Sequence, residues 1–240
     1  MKLTFLGTRG NIEARTRRHR MHTSLEVAYY DTKVMIDCGA DWLDKVGGLQ
    51  PEAILITHAH PDHAGGLKEG APAPVYASDD AWGEMADYAI EAREVVKARE
   101  PFCIAAIRFE FFPVDHSTRA PAGGYRITAG ELTVFYVPDV VYIPEREAAM
   151  GGAKLYIGDG ATITRSMVRK IDDNLIGHTP IRTQLTWCQK EGVPRAIFTH
   201  CGSRIVEGDE RTLGAKIWEL AEEREVDASI AHDGMELVLR

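Results

Sequence analysis

The stretch that most constrains this chain is ILITHAHPDHAGGL, residues 54–67, where three histidines and one aspartate follow a run of β-forming residues. His58 and His60 are two positions apart in nearly extended backbone, so both side chains can point to the same side. A proline then turns the chain and returns Asp62 and His63 toward them. Imidazole nitrogens and carboxylate oxygens are ligands that zinc, iron and manganese prefer. The pattern H-x-H-x-D-H therefore predicts a metal site rather than a loop of solvated histidines.

Composition limits the class of protein. The 240 residues, 45% of them hydrophobic, can bury a substantial core. A net charge of −8 argues against broad, non-specific binding to nucleic acid or anionic membranes. No apolar run approaches the roughly 18 to 20 residues that span a bilayer, and the first residues lack the features of a signal peptide. The four cysteines form no C-x-x-C pair, which suits a reducing compartment. We therefore expect a cytoplasmic protein without a membrane partner, and assembly into a homo-oligomer is compatible with the sequence.

The order of the elements predicts the fold. Short β-forming runs occur at 2–7, 24–31, 33–39, 53–58 and 74–78, and a second series begins at 107–115 and continues through YRITAG, LTVFYVPD, KLYIGDG and RAIFTH to the final MELVLR. Helices are predicted over 79–100, where Pro101 stops the pattern, over 179–192, which Gly192 closes, and over 209–224. Strands come first and helices follow, twice. We therefore predict an α/β (α+β) protein of one domain, with two similar halves at about 1–125 and 126–240, packed as a four-layer αββα sandwich.

Three further residues end predicted strands in the same manner. His116 follows FFPV, Asp139 follows FYVP, and His200 follows AIFT. Each alone would be an ordinary turn or cap residue. Four ligands in one loop cannot surround two ions, however, and the recurrence of His and Asp at strand ends predicts that these three complete the site.

Together these residues carry a resemblance. THAHPDHAGGL with the later His116, Asp139 and His200 resembles the metallo-β-lactamase-fold hydrolase superfamily over almost the whole chain, and the order FLGT, DCG, THAHPDH, VDHS, GHT, FTHCG is most similar to the ribonuclease Z and phosphodiesterase branch. The resemblance implies a metallo-β-lactamase fold and two divalent ions, zinc first, with manganese or iron as alternatives. It implies that one ion is held by His58, His60 and His116, that the other is held by Asp62, His63 and His200, and that Asp139 bridges them.

Asp159 in LYIGDG competes for the bridging role, because it also ends an apolar run. The family pattern places the bridging acid on the first strand after the His116 loop. Asp139 is therefore the preferred bridge, and Asp159 is expected to support the site from behind or to form a turn.

Two cations close together lower the pKa of a bridging water and neutralise charge on the attacked group, so hydrolysis by a metal-bridging hydroxide follows. Asp62 could orient the nucleophile or take its proton. His178, in IGHTP, lies outside the ligand series and could protonate a leaving oxygen. The alternative for His178 is a helix cap at the start of the helix near Thr179.

The clue to the substrate is the arginine loop, residues 13–24, which has no acid between Glu13 and Glu26. Arginine binds phosphate through two parallel hydrogen bonds. In an acidic chain this loop predicts a phosphoester site, with a mobile basic loop or a subunit contact as the alternatives. The candidate substrate-binding residues are Arg15, Arg17, Arg18 and Arg20, with Arg119 as a further contact near the metals.

Two differences from the ribonuclease families limit the substrates that we expect. The short interval between His116 and Asp139 leaves no room for the long arm with which that family holds tRNA, and the chain lacks the length for the inserted domain of ribonuclease J. We therefore expect a phosphodiesterase acting on a small phosphodiester, a cyclic phosphate or a nucleic-acid end. The alternatives are a lactonase or thioester hydrolase on the same fold, and a non-catalytic binding module that contains metal.

Overall fold

The structure, a computed structural model, describes residues 1–172 and 174–240, which form two seven-stranded sheets and a small hairpin sheet. The strands are β1 (Lys2–Gly7), β2 (Ser24–Tyr29), β3 (Thr32–Ile36), β4 (Ala53–Leu55), β5 (Val75–Ala77), β6 (Arg93–Val95), β7 (Phe102–Ile104), β8 (Ile107–Val114), β9 (Ala122–Ala129), β10 (Leu132–Tyr136), β11 (Leu155–Asp159), β12 (Arg169–Ile171), β13 (Asn174–Ile176), β14 (Arg195–Thr199), β15 (Asp227–Ile230) and β16 (Met235–Val238). The α-helices are α1 (Pro61–Ala64), α2 (Asp79–Glu84), α3 (Arg146–Met150), α4 (Ile181–Glu191), α5 (Ser203–Val206) and α6 (Glu210–Glu222).

The strand order explains where a site can form. The first sheet runs β16-β1-β2-β3-β4-β5-β6, and the second runs β15-β14-β11-β10-β9-β8-β7. In the first, β3 to β6 are parallel, and in the second, β10, β11, β14 and β15 are parallel. Parallel strands bring their carboxyl ends to one edge of a sheet. Residues that follow β4, β10, β11 and β14 can therefore meet at one end of the sandwich.

Alternation of side chains along the strands builds three apolar layers. On β10, Val134 and Tyr136 belong to the cluster between the sheets, whereas Phe135 belongs to the cluster under the helices of the second sheet. This is the two-residue period of a strand that is buried on both faces. A third cluster packs Trp82 and other residues of the helical layer against the outer face of the first sheet. The protein is thus helix, sheet, sheet, helix, which confirms the predicted four-layer αββα sandwich.

Two of the predicted helices are confirmed. The last residue of α4 is Glu191, and Gly192 follows it in the left-handed conformation (φ 69°) that commonly closes a helix, as the sequence predicted. Asp209 is the N-cap of α6, and its carboxylate accepts a hydrogen bond from the backbone N–H of Thr212.

The helix predicted over 79–100 is wrong, because α2 ends at Glu84. The chain beyond it turns inward, burying Met85 and Ile90, and continues as the edge strand β6, paired in parallel with β5. The Arg93 guanidinium donates hydrogen bonds to the carbonyls of Ile90 and Tyr88, which fixes the turn. Sheet pairing and burial thus override a helical pattern that was correct only in its first turns.

The chain does not fill the two sheets strictly in order. The second sheet begins at Phe102, and β16, near the end of the chain, returns to the first sheet beside β1. A boundary near residue 125 would fall inside β9. The division into two similar halves of one domain stays a prediction.

Candidate metal centre

The predicted ligands all follow strands whose ends meet at one edge of the sandwich. His58 and His60 follow β4, and Pro61 opens the one-turn helix α1, which carries Asp62 and His63. The second sheet contributes the others, each placed just beyond the end of a strand: His116 after β8, Asp139 after β10 and His200 after β14. All seven predicted ligands, called here the metal cluster, lie together, and only His60 is more than slightly exposed.

The Asp139 carboxylate is at the middle of the cluster. Its Oδ2 lies 3.3 Å from His58 Nε2 and 3.1 Å from His63 Nε2. Its Oδ1 lies 2.7 Å from His200 Nδ1. Asp159 Oδ1, by contrast, is 3.9 Å from that nitrogen. The geometry therefore favours Asp139 over Asp159 as the residue shared between two ions.

Ligand atoms within 4.8 Å of one another fall into three overlapping groups in the described chain. These groups are His58, His60, His116 and Asp139; Asp62, His63 and His200; and Asp139, Asp159, His178 and His200. The first two match the two ligand sets that the resemblance implied, and Asp139 belongs to the first and the third.

Hydrogen bonds behind the cluster orient the histidine rings. His63 Nδ1 lies 2.9 Å from Asp37 Oδ2, His116 Nδ1 lies 3.0 Å from the Gly177 carbonyl, and His58 Nδ1 lies 3.1 Å from Thr57 Oγ1. Metal-bound histidines commonly use their second nitrogen in this way, which fixes the tautomer and the ring. The Nε2 atoms of these three residues are thus left for the centre of the cluster.

The unpaired polar atoms test whether metal fits. Buried polar groups without a hydrogen-bond partner are rare and costly. Here His63 Nε2, His116 Nε2, Asp139 Oδ1 and His200 Nδ1 are buried, and none makes a hydrogen bond of acceptable geometry to a described residue, although Asp139 Oδ1 and His200 Nδ1 lie 2.7 Å apart. All four belong to the metal cluster and face one another. A cation at this position would satisfy them, so the residues fit a metal site.

The protonation states of His58 and Asp62 already suit metal binding. Burial lowers the pKa of His58 well below its ordinary value, so its imidazole is neutral. Burial would raise the pKa of Asp62, but His63 and His200 outweigh this effect and hold that pKa below its ordinary value. Neutral imidazole and ionised carboxylate are the forms that bind metal. Burial lowers the pKa of His63 and of His200, but the nearby carboxylates outweigh burial and raise both pKa values above the ordinary value, so these two imidazoles lose protons when metal binds.

A cavity of about 600 Å³, called here the metal-site cavity, opens beside the cluster and is lined by His178 and His200. Three arginines line it: Arg165, Arg169 and Arg204. Its described lining includes no Asp or Glu, and within the described chain none of the three guanidinium groups has an acidic partner. The cavity is therefore electropositive in a chain of net charge −8.

His178 lies between the cluster and this cavity. Its Nδ1 is 2.8 Å from Asp159 Oδ2, and its ring stacks on His200 with centroids 5.5 Å apart. Burial lowers the pKa of His178, but Asp159 and Asp139 outweigh burial and leave that pKa above its ordinary value. Asp159 is itself held by the backbone N–H of Val140. His178 is thus oriented by a carboxylate, which suits a proton donor. The residue at the N-cap of α4 is Pro180, so His178 is not the cap of this helix.

The arginine loop lies elsewhere. Its Arg15 pairs with Asp41 at 2.9 Å, and Arg18 pairs with Glu210 at 2.9 Å. Arg17 and Arg18 line a different cavity, and the backbone N–H of Arg20 donates to Asp233. None of these residues is among those that line the metal-site cavity.

Arg119 is also absent from that lining. It is exposed in the loop after His116, and its backbone N–H donates to Ser117 Oγ. The substrate-binding role of Arg119 and of the arginine loop stays a prediction.

Sequence reasoning missed two kinds of functional residue. Asp37 supports His63 from behind, and its position at the end of an apolar strand, in MIDCG, was the available signal. The arginines of the metal-site cavity gave no comparable signal, because Arg204 is far in sequence from Arg165 and Arg169.

Comparison with known proteins agrees with this geometry. A family model described as a beta-lactamase superfamily domain matches residues 32–201, which is well over half of the chain. The chain therefore belongs to the β-lactamase superfamily, as predicted. No sequence among the curated proteins matches it.

Solved structures show the fold. The metallo-β-lactamase-fold protein YhfI from Bacillus subtilis has a TM-score of 0.75 at 16% identity, over 98% of both chains. A diphosphatase of the PhnP family has a TM-score of 0.72 at 18% identity, over 100% of this chain and 98% of that chain. The short form of human tRNase Z has a TM-score of 0.68 at 17% identity, over 100% of both chains.

Family, fold and cluster together define a metal-dependent hydrolase with the metallo-β-lactamase fold. Among the residues that the structure describes, no helix has the length and apolar character needed to cross a membrane.

Proposed function

We propose that the protein is a dinuclear metal phosphodiesterase that hydrolyses a small phosphodiester, a cyclic phosphate or a nucleic-acid end. The observation that carries this proposal is the metal-site cavity, where Arg165, Arg169 and Arg204 lie beside the cluster and have no acidic partner among the described residues. Guanidinium groups bind phosphate oxygens through paired, charge-assisted hydrogen bonds. A lactone or thioester carries no charge that would need them.

The metal cluster divides into two ligand sets. His58, His60 and His116 would hold one ion, and Asp62, His63 and His200 the other, with Asp139 shared. Zinc is the first choice for this mixture of imidazole and carboxylate, with manganese or iron as alternatives. The chemistry that two such ions supply when bound is a lowered pKa for water and neutralisation of charge on the attacked phosphate.

Two residues of the chain accept or donate protons in the proposed reaction. Asp62 lies within the cluster, 3.1 Å from His200 Nε2, and its carboxylate orients the nucleophile or accepts its proton. The Nδ1 atom of His178 bonds to Asp159, which leaves Nε2 to donate a proton to the leaving oxygen. The cavity arginines hold the phosphate between these two groups.

The size of the cavity limits the substrate. About 600 Å³ suits a small molecule or the last nucleotides of a longer chain. The solved structures described as a diphosphatase and a tRNase support phosphate chemistry on this fold.

The experiment compares a charged with an uncharged substrate. The zinc-loaded full chain is assayed on bis-p-nitrophenyl phosphate, on p-nitrophenyl acetate and on an acyl lactone. Arg204→Gln should lower kcat/KM for the phosphodiester about 10- to 100-fold, because one charge-assisted contact contributes about 1.5 to 3 kcal/mol. Hydrolysis of the uncharged ester should stay within about threefold of wild type.

The matched control is Arg211→Gln, which removes an exposed arginine of α6 outside the cavity and should leave both rates unchanged. Efficient lactone hydrolysis with no phosphodiester hydrolysis would replace this proposal with the lactonase alternative.

A further inference from the structure

A second cavity, of about 430 Å³, lies beside the first and shares no lining residue with it. It is bounded by residues 16–19 of the arginine loop, by α5, by the start of α6 and by β15. The short helix α5 separates the two cavities, because Ser203 and Arg204 line the metal-site cavity while Ile205 and Val206 line the second one. The second cavity is therefore a separate site on the other side of α5.

The floor of the second cavity is apolar. Ile205 and Val206 are each 3% exposed, and Leu213 and Ile230 pack against the same core. A cavity of this size with an apolar floor and polar residues around it has the character of a small-molecule site.

Among the described residues that line this cavity, Arg17 carries a positive charge that no carboxylate pairs with. Arg18 is paired with Glu210, but within the described part of the chain the Arg17 guanidinium has no acidic partner. A ligand that places an anionic group at Arg17 would complete that pairing.

His19 adds a hydrogen-bond acceptor. The Thr8 hydroxyl donates to Asp233 Oδ1 at 2.7 Å, so it accepts from His19 Nδ1 at 2.8 Å. Burial lowers the pKa of His19, which keeps the ring neutral and leaves Nε2 without a proton. His19 is 7% exposed and lines the cavity, and no hydrogen bond from a described residue reaches Nε2. The His19 Nε2 atom is therefore open to the cavity, where a ligand donor can bond to it.

We propose that the second cavity binds a small amphipathic anion. Its apolar body rests on Ile205, Val206, Leu213 and Ile230, its anionic group pairs with Arg17, and an N–H or O–H donor next to that group meets His19 Nε2. This site is separate from the metal-site cavity and gives the arginine loop a role of its own.

The test uses 1-anilinonaphthalene-8-sulfonate, an aromatic anion with one N–H donor, titrated into the zinc-loaded full chain and followed by fluorescence. Binding should saturate at one molecule per chain. Octanoate should displace the probe, and an octyl trimethylammonium cation should not.

Two variants locate the probe. Arg17→Gln should weaken its binding about tenfold. Gly214 lines the cavity from within α6, and a Cβ there would meet no atom within 4 Å, so Gly214→Leu should fill the space and abolish binding without disturbing the helix. Gly214→Leu should hydrolyse the phosphodiester like wild type.

The matched controls are Arg211→Gln, a neighbouring arginine outside the lining, and Gly83→Leu, a glycine of α2 with equal free space. Neither should change binding of the probe. The proposal is overturned if Arg17→Gln binds like wild type, if binding is lost only in Arg204→Gln, or if the cation displaces the probe as well as octanoate does.

Discussion

The molecule carries two groups of arginines, and they differ in a way that the sequence conceals. The arginine loop has Arg15, Arg17, Arg18 and Arg20 within six positions. Arg165, Arg169 and Arg204 are scattered, yet they line one cavity beside the metal cluster. Members of the dense group are held by Asp41, Glu210 and Asp233, and two of them line the second cavity.

This difference shows that arginines close together in sequence need not line the active-site cavity. An acidic partner decides what an arginine can do, since a guanidinium already paired with a carboxylate offers less to a phosphate. Arg15 and Arg18 are paired in this way, whereas no described carboxylate pairs with the three arginines of the metal-site cavity.

The largest effect should come from the metal cluster itself, beside which only the second group of arginines lies. His60→Ala removes one ligand, and we expect metal binding and hydrolysis of charged and uncharged substrates to fall together. The loss should exceed the roughly 100-fold that loss of an outer-shell partner costs. Metal analysis and rates on one preparation measure both. Activity that survives in metal-free His60→Ala would show that hydrolysis does not depend on the metal.

A smaller loss is expected when the support behind a ligand is removed. Asp37→Asn weakens the contact with His63 Nδ1, and we expect metal affinity or activity to fall about 10- to 100-fold. A competitive chelator titration measures the affinity. Unchanged affinity would mean that the His63 ring is held by its packing alone.

Changing two arginines of the metal-site cavity together tests whether this group, and not the arginine loop, binds the substrate's phosphate. Arg165→Gln with Arg204→Gln should lower kcat/KM for the phosphodiester by about 100-fold, with the uncharged ester nearly unaffected. Steady-state rates on both substrates measure this selectivity. Equal losses on both would mean that these arginines support the fold and do not bind phosphate.

The smallest effect should come from the arginine loop. Arg15→Gln breaks an ion pair whose arginine is half exposed, so unfolding should become easier by at most about 1 kcal/mol. Hydrolysis of the phosphodiester should stay within about threefold of wild type in single variants of the loop. A tenfold loss in any of Arg15, Arg17, Arg18 or Arg20 would reverse the comparison and restore the sequence expectation that the loop binds substrate.

Much of this protein was predictable because its ligands follow a rule of position. His116, Asp139 and His200 each come just after an apolar strand, and parallel strands bring their carboxyl ends together. The order of strands and helices gave the sandwich and the motifs gave the family, while the rule of position gave a ligand set whose members meet in the structure.

The rest depends on contacts that a sequence does not display. The segment after Glu84 keeps a helical spacing, but it gains more from burial of Met85 and from pairing of β6 with β5. Arg204 reaches the metal-site cavity because α5 follows His200 directly, and nothing near it in sequence marks a phosphate site.

The most direct test of a dinuclear phosphodiesterase is a metal titration with two readouts. The protein is stripped with a chelator, and zinc is then added in steps while bound metal per chain and the rate on bis-p-nitrophenyl phosphate are measured in the same samples. We predict that the rate keeps rising until about two ions are bound per chain, because the ligands form two sets and the Asp139 carboxylate lies close to members of both. Full activity at one ion, with no second ion bound even in excess zinc, would contradict the account.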